Sequence, residues 1–301
     1  MESTDNMKLW SKYVVAQSIS EALDALNGAE GSSCPISGGT DLLLELQQGR
    51  HSSIHTLVDL HKIPELHYLE VQDGTLIIGA AVPASELVDS PLVWEHAQAV
   101  AEACGLIGGP QVRNTATLGG NVAHALPAAD GMIALVALDA QVEIASPEGI
   151  RSEPILDLFK GPGKSSLALN REFITRFFVS TRKQDQSSAF GRIMRPQGVA
   201  LPIINLAVWM ERDDDRIKDI RIAVGPSGPV PMRMKPVEDC LRGLPPDPDV
   251  LERAKKLVHE TVSFRTSPMR ASAEYRHDLS DVLLVDQVER AWQQTMRKRV
   301  A

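Results

Sequence analysis

Two glycine turns carry the chemistry that this sequence offers most plainly. Ser37-Gly38-Gly39-Thr40-Asp41 follows a short apolar approach, Pro35-Ile36, and Thr117-Leu118-Gly119-Gly120-Asn121 lies well downstream. Glycine admits positive φ and lets a ligand come up to the backbone with no Cβ in the way. Successive amide N–H groups in such a turn form a nest for an anion, and a helix starting there adds partial positive charge. Ser37, Thr40, Thr117 and Asn121 add side-chain donors. Two nests converging on one pyrophosphate would hold a dinucleotide without lysine or arginine. Neither turn is G-x-G-x-x-G, and no G-x-x-x-x-G-K-[ST] occurs, so the Rossmann and P-loop readings fail. Taken singly, each turn is better read as an ordinary strand-to-helix turn. The pair and its surroundings are what point to a nucleotide.

Other chemistry is sparse. The three cysteines, Cys34, Cys104 and Cys240, form no C-x-x-C pair, which argues against an iron–sulfur cluster or structural zinc held by this chain alone. An odd, scattered set of thiols fits a reducing cytoplasm better than a disulfide-built secreted domain. His61, His67, His124 and His277 show no ligand spacing such as H-E-x-x-H and stay unassigned. Asp213-Asp214-Asp215 reads as a solvated hairpin tip, not a calcium site. With 31 basic and 39 acidic residues the net charge is −8, which argues against a general nucleic-acid binder. At 43% hydrophobic and 23% charged over 301 residues, the chain has ordinary globular composition, enough for about two domains. Met1 to Lys8 lacks an apolar signal core, and no apolar run approaches the ~20 residues needed to span a bilayer.

The elements that position the turns alternate strand and helix. Tyr13-Val14-Val15 reads as a strand, and Ser18 with Glu21 has capping-box spacing for a helix running to Asn27, with Gly28 as a left-handed stop. Residues 42–46 read as a helix; 56–59 and 75–79 read as strands. Ser90-Pro91 starts a helix whose apolar face, Leu92, Val93, Ala97, Val100 and Ala101, continues to about residue 103, ended by Gly108-Gly109-Pro110. Residues 133–138 read as a helix and 141–145 as a strand. Beyond Lys160-Gly161-Pro162-Gly163-Lys164, strands are expected at 173–179, 199–210 and 217–224, and helices at 248–262 and 272–294. This divides the chain into an α+β cofactor domain to about residue 175 and a smaller sheet-and-helix domain.

Residues 113–130, including Arg113-Asn114-Thr115-Ala116-Thr117-Leu118-Gly119-Gly120-Asn121, Pro127 and Asp130, strongly resemble the second flavin-binding segment of the molybdenum hydroxylase flavoproteins. That family includes the medium subunit of carbon monoxide dehydrogenase and the FAD domain of xanthine dehydrogenase. Ile36 to Leu42 resembles its first segment. The resemblance continues through Phe159 to Leu167, through Pro231-x-Arg233 with Glu238, and through Ser272-Ala273-Glu274-Tyr275-Arg276 leading into Val282-Leu283-Leu284. Ordered matches along the chain make it far more specific than one glycine turn.

The resemblance implies an α+β fold: a two-lobed vanillyl-alcohol-oxidase-type FAD-binding domain over residues 1–175, with a lobe break near 55–60. A small C-terminal α+β domain would follow over 186–297. FAD would be held by Ile36, Ser37, Gly38, Gly39, Thr40, Asp41 and Leu42 in the first segment, and by Thr117, Gly120, Asn121 and Ala123 in the second. Asp130 falls where the family places an acceptor for the adenosine ribose; as a bare residue it is a helix-N-terminal charge. Ile107 and Ile174 fall at apolar flavin contacts, though as bare residues both read as core. Phe190 falls beside the isoalloxazine, where its ring would stack. Gly191 and Arg192 depart from the family's usual pair, so Arg192 reads equally as a ring donor or as a solvated cation. By the same resemblance, partners are a large subunit with the molybdenum cofactor and a small subunit with two [2Fe–2S] clusters. Electrons would leave the flavin for a soluble acceptor such as NAD⁺ or a quinone, with no side chain here catalysing on the organic substrate. The competing readings are a self-sufficient FAD-dependent oxidoreductase and a flavin-free structural subunit.

Overall fold

The computed structural model describes residues 8–195, 201–268 and 270–296. The first lobe is a parallel sheet in which β3 (Ile54–Asp59) lies between β1 (Trp10–Val15) and β2 (Ser33–Ile36). Parallel neighbours need crossovers, and α1 (Ile19–Asn27) and α2 (Leu42–Gln47) lie in the two connections. Ser18 caps α1 by accepting the Glu21 amide at 3.1 Å, while the Glu21 carboxylate accepts the Gln17 amide at 2.7 Å. The reciprocal bond thus closes one residue before the cap. Gly28 ends α1 at φ −83°, so the stop is not the left-handed one expected; its amide instead reaches Asp24 O at 2.8 Å.

The second lobe is an antiparallel sheet built from β4 (Leu69–Gln72), β5 (Thr75–Gly79), β6 (Gln141–Ser146), β7 (Gly149–Pro154) and, after a small hairpin of β8 (Phe159–Gly161) and β9 (Lys164–Ser165), β10 (Phe173–Ser180). β10 runs between β5 and β6, so a boundary at residue 175 falls inside this central strand, and the lobe continues to Ser180. Its helices are α3 (Ala84–Asp89), α4 (Pro91–His96), α5 (Gln98–Gly105), α6 (Pro110–Arg113), α7 (Leu118–Ala123) and α8 (Asp130–Ala137). The single helix expected from Ser90 is two, because Ala97 leaves the helical conformation at φ −142°, ψ 50°. Apolar spacing passes unchanged through that corner: Val93, Ala97, Val100 and Ala101 are all buried. All eight residues of α8 are buried, as in a helix enclosed between layers.

The C-terminal domain is an antiparallel meander of β11 (Gln186–Met194), β12 (Pro202–Asp213), β13 (Arg216–Gly225) and the short β14 (Met232–Arg233). Asp214, at φ +49°, turns β12 into β13 at the expected tip. β12 begins at Pro202; residue 199, where the strand was expected to start, lies outside the described residues. Leu206, Val208, Ile222 and Val224 face one core with α9 (Lys235–Leu241), α10 (Pro248–Thr261) and α11 (Ala273–Thr295). Phe190, Ala207 and Ala223 face the other way, into the core of the second lobe. The period-two alternation of a strand therefore welds the domains together. No helix among the described residues is long and apolar enough to cross a membrane.

Candidate functional site

The first turn leaves the end of β2 and enters α2. Gly39 has φ +66°, a conformation that strains any L side chain. Gly38 lies against the segment leading into the second turn: a Cβ there would fall 2.1 Å from Thr115 O and 3.0 Å from Ala116 Cα. The two turns, distant in sequence, are in contact. Among the described residues, no protein acceptor meets the amides of Ser37, Gly38, Gly39, Thr40 or Asp41. The Ser37 hydroxyl is buried and has no hydrogen-bond partner. A run of bare amides beside an orphaned hydroxyl is what an anionic ligand would satisfy.

The second turn is the start of a helix. Thr117 caps α7, its Oγ1 accepting the Gly120 amide at 3.1 Å. The Gly119 amide donates to Ala80 O at 3.0 Å, and a Cβ at Gly119 would lie 2.6 Å from that oxygen. Glycine here lets α7 rest directly on the backbone that leaves β5. Asn121 Oδ1 accepts the Met132 amide of α8 at 3.3 Å. Its Nδ2 then remains as the donor available to a ligand. At the C-terminal end of α7, His124 Nε2 lies 3.1 Å from Glu45 Oε1 and its Nδ1 4.0 Å from Asp41 Oδ2, tying α7 to α2.

Between these turns opens a cavity. Ile36, Ser37, Gly119, Gly120 and Ala123 line it from the two turns, and Leu60, Leu66, Leu167, Leu169, Phe173 and Ile174 add apolar walls. Of the residues expected at a cofactor, Ile36, Ser37, Gly120, Ala123 and Ile174 line this cavity. Gly38, Gly39, Thr40, Asp41, Thr117 and Asn121 belong to the turns that bound it. Leu42 packs instead with the small core of β2 and β3.

Four expected residues lie elsewhere. Ile107 packs against the second-lobe core and is not among the cavity's lining residues. Phe190 is 2% exposed and packs in the second-lobe core; its amide donates to Glu102 Oε2 at 2.7 Å, and its carbonyl accepts from Arg290 at 3.1 Å. Such a ring is no open stacking surface in this structure. Asp130 and Arg192 are partners of one another: Arg192 Nη1 donates to Asp130 Oδ2, and Asn205 Nδ2 donates to Asp130 Oδ1 at 2.7 Å. Burial holds the Asp130 carboxyl above its ordinary pKa, against the opposing pull of Arg192 and Asn205. Burial also raises the Cys104 thiol to about 12, with Asp130 adding to the effect.

Leu60, Leu66, Ala80, Ala81, Leu167, Leu169 and Phe173 were not foreseen. Leu60 follows β3, Ala80 and Ala81 follow β5, and Phe173 opens β10, so only the strand topology reveals that these positions converge.

Comparison with known proteins agrees with this geometry. Residues 6–180 match the FAD binding domain in molybdopterin dehydrogenase, and residues 188–291 match the CO dehydrogenase flavoprotein C-terminal domain. The nicotine 6-hydroxylase medium subunit of Paenarthrobacter nicotinovorans is 34% identical over 273 residues, 91% of this chain and 94% of that protein. The xanthine dehydrogenase FAD-binding subunit of Escherichia coli O157:H7 is 32% identical over 242 residues, 80% of this chain and 82% of its own. Carbon monoxide dehydrogenase from Hydrogenophaga pseudoflava superposes with a TM-score of 0.89 at 25% identity, covering 94% of this chain and 98% of that one. The chain belongs to the FAD-binding medium subunits of the molybdenum hydroxylase family, components of oxidoreductases.

Proposed function

We propose that this chain is the electron-transfer flavoprotein of a molybdenum hydroxylase complex. It would work beside a large subunit bearing the molybdenum cofactor and a small subunit bearing [2Fe–2S] clusters, and deliver electrons to a soluble acceptor. The observation that carries the reading is the convergence of both glycine turns on one cavity, with five consecutive amides lacking protein acceptors.

In this reading the amides of Ser37 to Asp41, the Ser37 hydroxyl and Asn121 Nδ2 bind the diphosphate through neutral donors. The apolar walls from Leu60 to Ile174 exclude water from the cofactor, and His124 holds the two turn helices at fixed separation. FAD, when bound, supplies exchange between one-electron and two-electron carriers; the protein's part is orientation and electrostatic tuning. No side chain of this chain serves as nucleophile or general base on the organic substrate.

The test compares the chain purified alone with the chain coexpressed with its candidate partners. Alone, it should retain flavin through desalting yet oxidise no hydroxylase substrate. Together, the three subunits should co-elute, and substrate should bleach the flavin. Substrate turnover by the isolated chain would establish the self-sufficient oxidoreductase instead, and a colourless chain that takes up no FAD would establish a structural subunit.

A further inference from the structure

The first glycine turn offers bare amides to an anion, yet it carries acid. Asp41 supplies the last of those amides, and it stands at the start of α2 with no hydrogen bond from its carboxylate to the helix. Glu45 lies one helical turn on, its amide donating to Asp41 O at 2.9 Å. Among the described residues no lysine or arginine pairs with either acid. Both are met by His124, with Nε2 3.1 Å from Glu45 Oε1 and Nδ1 4.0 Å from Asp41 Oδ2. The side chains of His124 and Glu45 are 24% and 26% exposed, so their contact is screened by water less than that with Asp41, at 59%. His124 follows Ala123, which lines the cavity, and its amide donates to Gly120 O at 3.0 Å. α7 brings no charged side chain of its own. The β8–β9 hairpin, tied to the next residue by the Gly163 amide and Ala125 O at 3.0 Å, brings the exposed Lys164, which pairs with neither acid. One imidazole therefore joins the two turns, with a carboxylate within 4.0 Å of each nitrogen.

A neutral imidazole donates through one nitrogen only, whereas an imidazolium donates through both. An acid at each nitrogen therefore matches the charged ring. Histidine is also the side chain whose charge ordinarily changes near neutral pH, and added negative charge nearby favours its protonated form. A diphosphate held by the amides of Ser37 to Asp41 brings such charge to a turn that already bears two carboxylates and no lysine or arginine. We propose that His124 is a positioning residue whose imidazole takes up a proton as the diphosphate binds, so that FAD binding and protonation of this chain are linked. The inference rests on the flavin reading above and adds what controls that site. The proton comes from solvent and goes to the imidazole, and no bond of the cofactor changes. Because the bound state holds more protons, affinity for FAD rises as pH falls through the neutral range, by up to about tenfold per pH unit, the limit for one linked proton.

The test is calorimetric titration of the full-length apoprotein with FAD, at one pH, in two buffers of unequal ionisation heat. The apparent enthalpies should differ in proportion to the buffer heats, which gives the protons taken up per FAD. In His124→Gln that difference should vanish and the affinity should no longer vary between about pH 8.5 and 6. The double variant Asp41→Asn/Glu45→Gln, which keeps hydrogen-bonding groups at both positions, should also lose proton uptake. At about pH 8.5, where the wild-type ring is least protonated, it should bind FAD more tightly than wild type. A link that only braced the two helices would give the opposite sign, weaker binding at every pH. Equal wild-type enthalpies in the two buffers, proton uptake that persists in His124→Gln, or weaker binding by the double variant overturns the proposal, and the first of these needs no variant to fold. A chain that takes up no FAD at any pH overturns the flavin reading as well, whereas FAD uptake without protons overturns this inference alone.

Discussion

Gly38 is where the first turn touches the approach to the second, and Gly38→Ala tests whether that contact shapes the cofactor site. The added Cβ would lie 2.1 Å from Thr115 O and 2.7 Å from the Thr115 carbonyl carbon. Both are backbone atoms, so no side chain can swing aside. Restoring an ordinary contact of 3.4 Å needs a separation of roughly 1.3 Å between the two turns. Overpacking of this kind costs about 1–3 kcal/mol. Because the displaced atoms belong to the turns themselves, most of that cost should appear in binding. FAD affinity of the apoprotein is expected to fall about ten- to a hundredfold, or ~1.4–2.8 kcal/mol. Titration of apoprotein with FAD, followed by flavin fluorescence, gives the affinity, and urea denaturation of the apoprotein gives the stability. Gly161→Ala is the control: its Cβ would meet nothing within 4 Å. Gly39→Ala separates sterics from conformation, since its nearest contact is the flexible Ile36 Cδ1 at 2.9 Å while its φ of +66° costs ~1–2 kcal/mol. If Gly38→Ala binds FAD as wild type does and unfolds at the same urea concentration, the contact between the turns does not shape the site.

Three further outcomes follow from buried polar groups. Arg192→Met leaves the Asp130 carboxyl with Asn205 alone and should cost about 3–5 kcal/mol. Burial already holds that carboxyl above its ordinary value and losing Arg192 raises it further, so the variant's stability should fall further, relative to wild type, as pH rises through and beyond the wild-type folded pKa, measured as urea midpoints. Glu238 is 1% exposed and accepts from Arg233 Nη2 at 2.7 Å and from the Ile222 amide at 2.8 Å; Glu238→Ala should destabilise by about 3–5 kcal/mol in the same assay. Burial raises the thiols of Cys34 to about 11 and Cys104 to about 12, so iodoacetamide at neutral pH should label the partly exposed Cys240 first and the other two only after denaturation, as peptide mass mapping would report.

The turns were legible because their chemistry is local. Glycine pairs, a Thr117 cap and a Ser18 cap are written in neighbouring residues, and each performs the conformational task that its type suggests. The alternating Ile220, Ile222 and Val224 likewise set one face of β13 toward α9–α11. The corner at Ala97 was not legible, since a small apolar residue fits a helix and a corner between helices equally well, and burial is satisfied by both. The cavity walls were hidden for a different reason. Leu60, Leu167 and Phe173 belong to separate elements, and nothing in their own neighbourhoods marks them as neighbours of one ligand.

Asp130 and Arg192 show how a side chain near a site in sequence can serve it from a distance. Asp130 opens α8, a helix buried on every side, and its carboxylate is held by Arg192 of β11 and Asn205 of β12. Two residues on, the Met132 amide fixes Asn121 Oδ1, and Gly131 makes room for the contact, since a Cβ there would lie 3.0 Å from that oxygen. The C-terminal sheet therefore holds α8, and α8 fixes Asn121 at the start of the second turn's helix. On the proposed function, an ion pair outside the cavity lining would be coupled to binding through that helix. Flavin affinity should consequently respond to Arg192→Met although Arg192 does not line the cavity, and the two domains should bind FAD as a unit that neither half reproduces alone.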